Sequence, residues 1–415
     1  MVALLLACAP PPVGTVENPN SVHIPGVDGV RCTLRSDPAE VHVAPVEDGE
    51  ASLHGLLADE LYDCDADGVL FEVHTEPLPD WVPPVTLTGD PGSSRNTYAL
   101  FQHFVQDPGQ GLTSQALFIV DRHGHIRWYH RLPPEIGVTE ATWLGDGRVL
   151  YGGRNALPAI VALTGEKLWE GTNTGLHHDI QMLPSGHVAQ LLYRQYSDYL
   201  GFEVEVVDPD TSEVIWELAS SELDLEVPQK GSNDVFHANA MVVEERHGEL
   251  VKVWVNLKQT SQLIRIDPRE RAIDLAVGQD TDWTIDGDWW EGAHDPQIDG
   301  DRVLVYDNGT EERGTRIQEV ELDEDALTAR TTWTWVPGWY EPVWGGVVYL
   351  DEGHVLVTRG HCRSCTETGQ SGLIEVSPEG EIVWQVELEP LAGMYRAQAL
   401  DGCDIFHNQY YCPDD

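Results

Sequence analysis

The chain has 415 residues and a formal net charge of −46, with 70 Asp and Glu against 24 Lys and Arg. Such an acidic surface repels phosphates, so the composition argues against nucleic acid as a partner. A hydrophobic fraction of 41% and 14 Trp indicate a folded protein, long enough for two or three ordinary domains or for a small domain and a large repeat fold.

The N-terminal sequence MVALLLACAPPP resembles the second half of a bacterial lipoprotein signal over residues 1–8, with Cys8 as the acylated residue. Residues 9–20 are Pro-rich and polar, which predicts a tether. No other stretch approaches the roughly 18 apolar residues of a membrane span. The sequence therefore predicts an exported protein, periplasmic or attached to a membrane or cell surface through lipidated Cys8. Another form of export and a chance apolar start are the alternatives.

Seven cysteines suit an exported protein. If Cys8 carries lipid, six remain, and other pairings are possible. The predicted disulfides are Cys32–Cys64, Cys362–Cys365 and Cys403–Cys412. The alternative is a zinc site made by the last four of these, which their spacing disfavours because Cys403 and Cys412 are too far apart for a zinc-ligand pair.

Residues 21–80 contain short strand-like runs with frequent Gly and Asp, which predicts a small β-sandwich-like domain. Within it, DCDADG from Asp63 to Gly68 matches the first half of a calcium loop. The twelfth position is His74 rather than Glu, so an acidic turn is the preferred interpretation. Residues 81–97, which include WVPP, are predicted to be a linker.

From residue 98 to about 400 the chain repeats a strand, a turn with Asp or Gly, and a strand that reaches a Trp. The spacing predicts an all-β protein with a six-bladed β-propeller over residues 98–400, after the small N-terminal domain and before a tail over 401–415. A seven-bladed ring is the alternative. The landmark residues are Trp128, Trp169, Trp216, Trp333 and Trp384, with Leu275 or Val277 in the fourth unit.

Three hairpin-like stretches, 176–193, 234–267 and 292–308, each begin with a histidine. Residues equally far from a hairpin turn lie opposite each other, so the turn centres predict the partners. The predicted pairs are His178 with Arg194, His237 with Lys258, and His294 with Asp307 or Asn308.

Two further hairpins lack the histidine but return Arg154 and Arg359 to the same end. Four of the five hairpins thus bring back a Lys or Arg, although the chain has few of them, which favours an anionic ligand. The first hairpin of each propeller blade lies nearest the axis, so these ends should converge on one channel mouth. Asn239 should share the face of His237, whereas Asp179 and Asp295 should point away and fix the strand entry.

A lone histidine at a strand start is more often a turn or core residue than a catalyst. Three histidines at equivalent repeat positions favour a shared site instead. By the same standard no role is predicted for His177, His187, His247 and His354, which lie beside or in turns. Aromatic side chains near the mouth could stack on a ligand ring, although core packing is the commoner use: Trp289, Trp290, Trp339 and Tyr340.

A resemblance to the bacterial arylsulfate sulfotransferase family is carried by HHDIQMLPSGH, FHANAM with LKQTSQLIRID, AHDPQI with VLVYDNG, GGVVYLDEGHVLVT and MYRAQAL. The resemblance covers roughly residues 98–400, and the preceding segment is similar to that family's N-terminal domain. It implies an exported six-bladed propeller that moves a sulfuryl group between phenols, without a nucleotide sulfate donor.

By position, the resemblance implies that His294 is the nucleophile that becomes transiently sulfated, with His178, His237 and Asn239 at sulfate-contacting positions. The family's arginine on the return strand of the fourth blade is Lys258 here, which supplies charge but not the two-pronged fork of arginine. The predicted catalytic residues are His294, His237, His178 and Lys258, and the predicted substrate-binding residues are Asn239, Arg194, Arg359 and Asn308.

The residue types also suit this chemistry on their own terms. Sulfuryl transfer needs in-line attack and stabilisation of charge on oxygen, which imidazoles and cations supply. The predicted partners are a small aryl sulfate and a phenol, and no cofactor is predicted. Two other hypotheses remain: a propeller that binds sulfated or other anionic ligands without turnover, and a metal hydrolase that uses the three imidazoles.

Overall fold

The computed structural model describes residues 20–25, 27–44, 46–47, 50–107, 111–133, 136–228, 233–360, 371–388, 392–400 and 405–411. Within these ranges the chain is almost entirely β-strand, with three short 3-10 helices, Pro91–Ser93, Ser220–Glu222 and Asp351–Gly353. The predicted all-β class is confirmed. No helix in the described ranges is long and apolar enough to span a membrane. Cys8, residues 9–19, Cys362, Cys365, Cys403 and Cys412 lie outside the described residues.

Two antiparallel sheets built before residue 75 share one hydrophobic core. Cys32 and Cys64 lie directly opposite each other on neighbouring strands and form a disulfide, as predicted; this bond is consistent with an exported protein. The first sheet has the order β1-β5-β4 and the second β3-β2-β6-β7, with β1 (Val22–Pro25), β2 (Val30–Leu34), β3 (Val41–Ala44), β4 (Val46–Glu47), β5 (Glu50–Leu53), β6 (Leu61–Ala66) and β7 (Val69–His74).

The DCDADG segment forms the end of β6 and, through Asp67 and Gly68, the tight turn to β7. Asp65 accepts a hydrogen bond from the backbone N–H of Gly68 at 2.7 Å, and Asp67 accepts one from the N–H of Asp28 at 2.9 Å. Gly68 has a φ of +83°, which glycine adopts without steric cost. These carboxylates serve the turn, in agreement with the acidic-turn interpretation.

The remaining strands form six sheets, of which the first three are built as follows. The first is β33-β9-β10-β11, with β9 (Tyr98–Asp107), β10 (Gly111–Asp121), β11 (Ile126–Leu132) and β33 (Ala392–Leu400). The second is β12 (Gly137–Gly145), β13 (Arg148–Arg154), β14 (Ala159–Ala162) and β15 (Lys167–Glu170). The third is β16 (Leu176–Met182), β17 (Val188–Gln195), β18 (Leu200–Val207) and β19 (Val214–Ala219).

The other three sheets follow the same plan. The fourth is β20 (Ala238–Arg246), β21 (Glu249–Leu257), β22 (Gln262–Asp267) and β23 (Ala272–Gly278). The fifth is β25 (His294–Asp299), β26 (Arg302–Thr310), β27 (Gly314–Asp323) and β28 (Thr328–Trp335), with β24 (Thr284–Asp286) added parallel to β28. The sixth is β29 (Gly346–Tyr349), β30 (Val355–Arg359), β31 (Gly372–Val376) and β32 (Ile382–Glu387), with β8 (Thr86–Gly89) at its outer edge.

The inner strands of these sheets form a closed ring. β12 contacts β16, β16 contacts β20, β20 contacts β25, β25 contacts β29, β29 contacts β33, and β33 contacts β12. The C-terminal strand β33 supplies the innermost strand of the first sheet, and the early strand β8 pairs with β32 of the last. Both ends of the repeat region are therefore held by pairing with distant parts of the chain.

The recurring Trp at the outer strand has a structural explanation. Four of these indole N–H groups donate to a backbone carbonyl in the turn that follows the third strand of the next sheet. A buried indole needs such an acceptor, so the repeat couples neighbouring sheets as well as filling the space between them. The pairs are Trp128 with Leu163, Trp216 with Pro268, Trp333 with Pro378, and Trp384 with Arg122.

A buried ion network joins the N-terminal sheets to the first sheet of the ring. Arg127 on β11 donates to both carboxylate oxygens of Glu40 at 2.6 and 3.0 Å and to Asp121 at 2.6 Å. Arg127 is 1% exposed. Its Nη1 also donates to the carbonyl of Gly55 at 3.0 Å. Removing the guanidinium leaves two buried carboxylates without their cation.

We expect Arg127→Ala to lower the free energy of unfolding by about 3–5 kcal/mol, the usual result of breaking one partner of a buried ion pair. The midpoint of urea unfolding measures this change. Arg269→Ala is the control, because Arg269 is exposed and pairs with exposed Glu249, so the midpoint of this variant should stay close to that of the unmodified protein. Equal midpoints for the two variants would contradict the assignment.

Candidate functional site

The three predicted histidines lie together at one end of the ring of inner strands. The rings of His178 and His237 are 5.2 Å apart between centroids. Tyr395 of β33 stacks on His178 at 5.3 Å and meets the edge of His294 at 6.0 Å. Consecutive third, fourth and fifth sheets therefore bring their imidazoles to one pocket around Tyr395.

Local irregularities in the inner hairpins place these side chains. His178 and His237 adopt φ values of +76° and +47°, which are uncommon for residues other than glycine. The strand register shifts between Leu176 and Ile180 around His178, and directly after His294. Bulges of this kind redirect side chains and are frequent beside active sites.

His294 is fixed by a hydrogen bond between its Nδ1 and the Oδ1 of Asn308. The amide group of Asn308 donates to the carbonyl of Glu341 and, at 3.0 Å, to that of Trp344. Because both acceptors claim the NH2 group, Oδ1 is the atom that faces the imidazole, and it can only accept. Nδ1 of His294 therefore carries the proton, and Nε2 keeps its lone pair.

The surroundings keep His294 neutral. The side chain is fully buried, and its Nε2 has no hydrogen-bond partner among the described residues. Burial, followed by the positive charge of Lys258, lowers the pKa of His294 well below its usual value. A neutral imidazole with an unpaired lone pair on Nε2 is the form that can act as a nucleophile.

Lys258 lies opposite His237, as predicted by counting residues from the hairpin turn. Its backbone N–H donates to the carbonyl of His237 at 3.2 Å, and its Nζ donates to the carbonyl of Pro342 at 3.1 Å. Burial lowers the pKa of Lys258 to about 8, while the carboxylate of Glu341 acts in the opposite direction. The loop from Glu341 to Trp344 thus supports both Lys258 and Asn308.

Asp234 lies between two imidazoles. Its Oδ2 is 2.6 Å from Nδ1 of His237 and 3.3 Å from Nε2 of His177, and its Oδ1 accepts the backbone N–H of His237 at 3.0 Å. Burial alone would raise the pKa of Asp234, but hydrogen bonds from the two histidines lower it overall. The three ligand atoms lie within 4.8 Å, near enough for one metal ion. A separation of 2.6 Å is nevertheless that of a charge-assisted hydrogen bond, in which a proton lies between the atoms.

The predicted pairing of His178 with Arg194 is wrong. Leu176 pairs with Leu192 and Ile180 with Gln190, so the three residues between Leu176 and Ile180 face a single residue, and Arg194 lies beyond the histidine. Arg194 forms an ion pair with Glu203 at 3.0 Å, and its side chain is 56% exposed. Its predicted place in the substrate site is not observed.

Two other predicted substrate contacts are occupied by protein groups. Arg359 donates to Glu387 at 2.7 Å and lies over the ring of Trp339. The amide of Asn239 donates to the carbonyl of Ala293 at 3.0 Å and accepts from Asn256 at 2.6 Å. Asn239 therefore holds the residue before His294 rather than presenting its amide to a ligand.

The aromatic residues expected to stack on a ligand do not meet the imidazoles. Trp290 is fully buried in a core cluster against which Trp289 packs, and Trp339 packs against Trp335. The aromatic residue that contacts His178 and His294 is instead Tyr395, and Tyr193 contacts the neighbouring His177. Tyr340 is partly exposed.

Arg396 organises the base of the site, and no pattern in the sequence singled it out. It is 4% exposed, and its Nη1 lies 2.8 Å from Glu140, 3.1 Å from Asp179 and 3.5 Å from Asp295. Its Nη2 donates to the carbonyl of Asn239. Arg396 thus connects the inner strands of five sheets. Burial raises the pKa of Glu140 to about 8.

Asp179 and Asp295 also fix the strands, as predicted. Asp179 accepts the backbone N–H of Met241 at 2.7 Å, and Asp295 accepts that of Val347 at 3.1 Å. Each carboxylate therefore connects its own inner strand to the next sheet. In the third and fifth sheets the residue after the site histidine thus holds the ring together, while the histidine faces the pocket.

A family model described as Arylsulfotransferase (ASST) matches residues 104–396, which include all three imidazoles and Arg396. The chain belongs to the arylsulfotransferase family. An aryl sulfotransferase is an enzyme that acts on small aryl molecules, and the site histidines lie within the matched residues. No curated protein matches this arylsulfotransferase.

Solved structures similar to this arylsulfotransferase are distant. A protein of unknown function from Bacteroides caccae is 15% identical, with a TM-score of 0.49 over 73% of this chain and 98% of that one. The β-propeller domain of Cps50 (Swd1) from Myceliophteria thermophila is 12% identical, with a TM-score of 0.39 over 73% of this chain and 89% of that one. A streptogramin B lyase is 13% identical, with a TM-score of 0.39 over 88% and 95%. Likenesses this weak carry no argument about function.

Proposed function

We propose that this arylsulfotransferase moves the sulfuryl group of an aryl sulfate to a phenolic acceptor through a transiently sulfated His294. The transfer takes two ping-pong steps and uses neither a nucleotide donor nor a cofactor. The observation that carries the proposal is the state of His294, a buried neutral imidazole whose Nδ1–H is held by Asn308 and whose Nε2 lone pair is unpaired.

In the first step, Nε2 of His294 attacks sulfur and the bond from sulfur to the aryl oxygen breaks. The electron pair of that bond leaves on the aryl oxygen, and Nδ1 keeps its proton. The sulfated ring carries a positive charge that the oxygen of Asn308 stabilises through the Nδ1–H bond. In the second step an acceptor phenol attacks sulfur, and the lone pair returns to Nε2.

Lys258 is the cation that the proposal assigns to the sulfuryl oxygens. Its charge acts directly on His294, whereas Arg194 is paired with Glu203 and Arg359 with Glu387. His178 has no hydrogen-bond partner for either ring nitrogen among the described residues, so one N–H is available for an oxygen of the group in transfer. Preorganised donors of this kind stabilise charge that develops in the transition state.

A surface cleft offers the aryl ring of the donor a route to the histidines. A cleft of about 410 Å³ reaches His237 and Asp234, with Arg154 and Tyr193 among its other lining residues. His294 itself is fully buried, so a local opening above its ring accompanies donor binding. In the proposed complex the aryl group lies in this cleft next to His237, and its sulfate points towards the axis of the ring.

The alkaline pH dependence should report on Lys258. Lysine is charged below its pKa, so the cation is lost as pH rises through about 8, and kcat/KM for an aryl sulfate should fall with that midpoint. Lys258→Arg should remove this decline, because arginine stays protonated. Rates of 4-nitrophenol release between pH 6 and about 10 measure the effect. An unchanged alkaline midpoint in Lys258→Arg would exclude Lys258 as its source.

The transfer reaction itself is tested with 4-nitrophenyl sulfate as donor and phenol as acceptor. The account expects phenyl sulfate to form in step with 4-nitrophenol, and parallel-line initial-rate plots when both substrates are varied. Binding of the aryl sulfate with no release of phenol would overturn the proposal in favour of a ligand-binding propeller. Dependence of the rate on a tightly bound metal would overturn it in favour of a metal hydrolase.

We also propose that the chain is exported and anchored by lipid at Cys8, for which the apolar run before Cys8 and the disulfide are the support. Cys8→Ser should then release the protein from membranes, as cell fractionation would show. Membrane retention of this variant would contradict the proposal.

A further inference from the structure

Asp234 and His177 form a hydrogen-bonded pair of groups that the transfer step does not use. Neither residue was singled out by the sequence, because His177 is adjacent to the more prominent His178 and Asp234 lies in an irregular segment. In the structure Oδ2 of Asp234 approaches His237 at 2.6 Å and His177 at 3.3 Å. The question is what an ionised carboxylate does beside a site histidine.

The contacts define which nitrogen of His237 can exchange a proton. Oδ1 of Asp234 accepts the backbone N–H of His237, so the carboxylate cannot turn away from the ring. Oδ2 accepts the Nδ1–H of His237, which leaves Nε2 as the exchangeable position. His237 is part of the cleft surface and lies beside His178, so it is accessible to an aryl oxygen.

We propose that Asp234 positions His237 to give a proton to the departing aryl oxygen and to take one from the incoming phenol. The inference rests on the proposed sulfuryl transfer and adds its proton path. In the first step His237 starts as an imidazolium, Nε2–H passes its proton to the aryl oxygen, and a phenol leaves. In the second step neutral His237 takes the acceptor's proton as that oxygen attacks sulfur, so protons and charge balance over the cycle.

The geometry assigns this task to His237 rather than to His178. An ionised carboxylate stabilises positive charge on the ring that it touches, and Asp234 touches His237. His178 is stacked on Tyr395, and both of its ring nitrogens are unpartnered in the described part of the chain. His178 is therefore suited to donate one hydrogen bond while it remains neutral.

His177 completes the arrangement from the buried side. It is fully buried, its ring lies 3.8 Å from that of Tyr193, and its Nε2 faces the same carboxylate oxygen as His237. A second donor holds Oδ2 in place and favours the ionised form of Asp234. Asp234 is thus a positioning residue, and His237 is the group that meets the substrate.

A series of aryl sulfates with leaving phenols of increasing pKa tests the inference through Asp234→Asn. A poor leaving group needs a proton in the transition state, whereas 4-nitrophenolate leaves without one. We expect Asp234→Asn to lower kcat/KM for phenyl sulfate by about 100-fold and that for 4-nitrophenyl sulfate by less than about 5-fold. In His237→Gln the rate should likewise depend more steeply on the pKa of the leaving phenol than in the unmodified enzyme. The double variant should be no slower than either single variant, since the two residues act as a unit.

The control is Asp210→Asn. Asp210 is exposed in the turn between β18 and β19 of the third sheet, so this variant should leave the dependence of the rate on leaving-group pKa unchanged. Equal slowing of all donors by Asp234→Asn, or no slowing, in a variant with the unfolding midpoint of the unmodified protein, would overturn the inference and leave the transfer reaction intact. Stoichiometric metal in the purified enzyme, with activity lost on chelation, would also overturn it. Failure of the unmodified enzyme with every donor would instead reject the proposed function, and the inference with it.

Discussion

Replacing His294 with Gln should reduce the rate of phenol release from an aryl sulfate by about 10⁴-fold or more. The imidazole is the proposed covalent acceptor, and an amide has no comparable lone pair to attack sulfur. Other groups that bind the sulfate remain, so binding of the donor should be much less affected than turnover. The measurement is kcat with saturating 4-nitrophenyl sulfate, together with donor affinity from equilibrium titration.

The matched control for this change is His247→Asn. His247 is exposed in the turn between β20 and β21 with a φ of +54°, a conformation that Asn tolerates. The His247→Asn variant should retain full activity. Substantial turnover by His294→Gln, or an equal loss in both variants, would show that His294 is not the covalent acceptor.

Asn308→Ala should lower kcat by about 100-fold, because it removes the acceptor that keeps the proton of His294 on Nδ1. In the variant the proton can move to Nε2 and block the attacking lone pair. An imidazole held in the wrong tautomer is known to be a poor catalyst. Nitrogen-15 NMR of labelled histidine should show Nδ1 protonated in the unmodified enzyme and a mixture of tautomers in the variant.

Asn173→Ala serves as the control for Asn308→Ala. Asn173 accepts a local backbone N–H from Gly175, so its replacement should change neither kcat nor the tautomer of His294. If Asn308→Ala kept full activity, or lost activity with the His294 tautomer unchanged, the positioning role of Asn308 would be contradicted.

The hairpin register was predictable for His237 because the β20–β21 hairpin has one bulge on each strand, and the two bulges offset each other. The turn at His247 and Gly248 has positive φ at both residues, and the count from it places Lys258 opposite His237. The same count failed for His178, because a bulge takes up residues on one strand only. Bulges have no reliable sequence signal here, and they occur at the positions that matter for function.

The partners of the arginine side chains could not be predicted from the sequence, and the reason is physical. With 70 acidic and 24 basic residues, almost any cation can find a carboxylate nearby. Arg194 pairs with Glu203 on the adjacent strand, and Arg359 pairs with Glu387 two strands away, whereas Lys258 turns inward to a backbone carbonyl. A count of charges at one end of the hairpins cannot distinguish these outcomes.

Long-range contacts account for the other features that the sequence did not predict. Arg396 meets carboxylates that are more than 100 residues away in the chain, and the carbonyls that orient Asn308 belong to the loop before the sixth sheet. Four of the five Trp landmarks, in contrast, have equivalent backbone partners in the next sheet. The repeat pattern that they mark predicted the all-β architecture.

The most direct test of the central claim is mass spectrometry of the enzyme after incubation with an aryl sulfate in the absence of acceptor. We expect one added sulfuryl group on the peptide that contains His294, attached at Nε2 and lost when a phenol is added. An unmodified His294 peptide during steady turnover, or a sulfuryl group on another residue that phenol discharges at a competent rate, would contradict it.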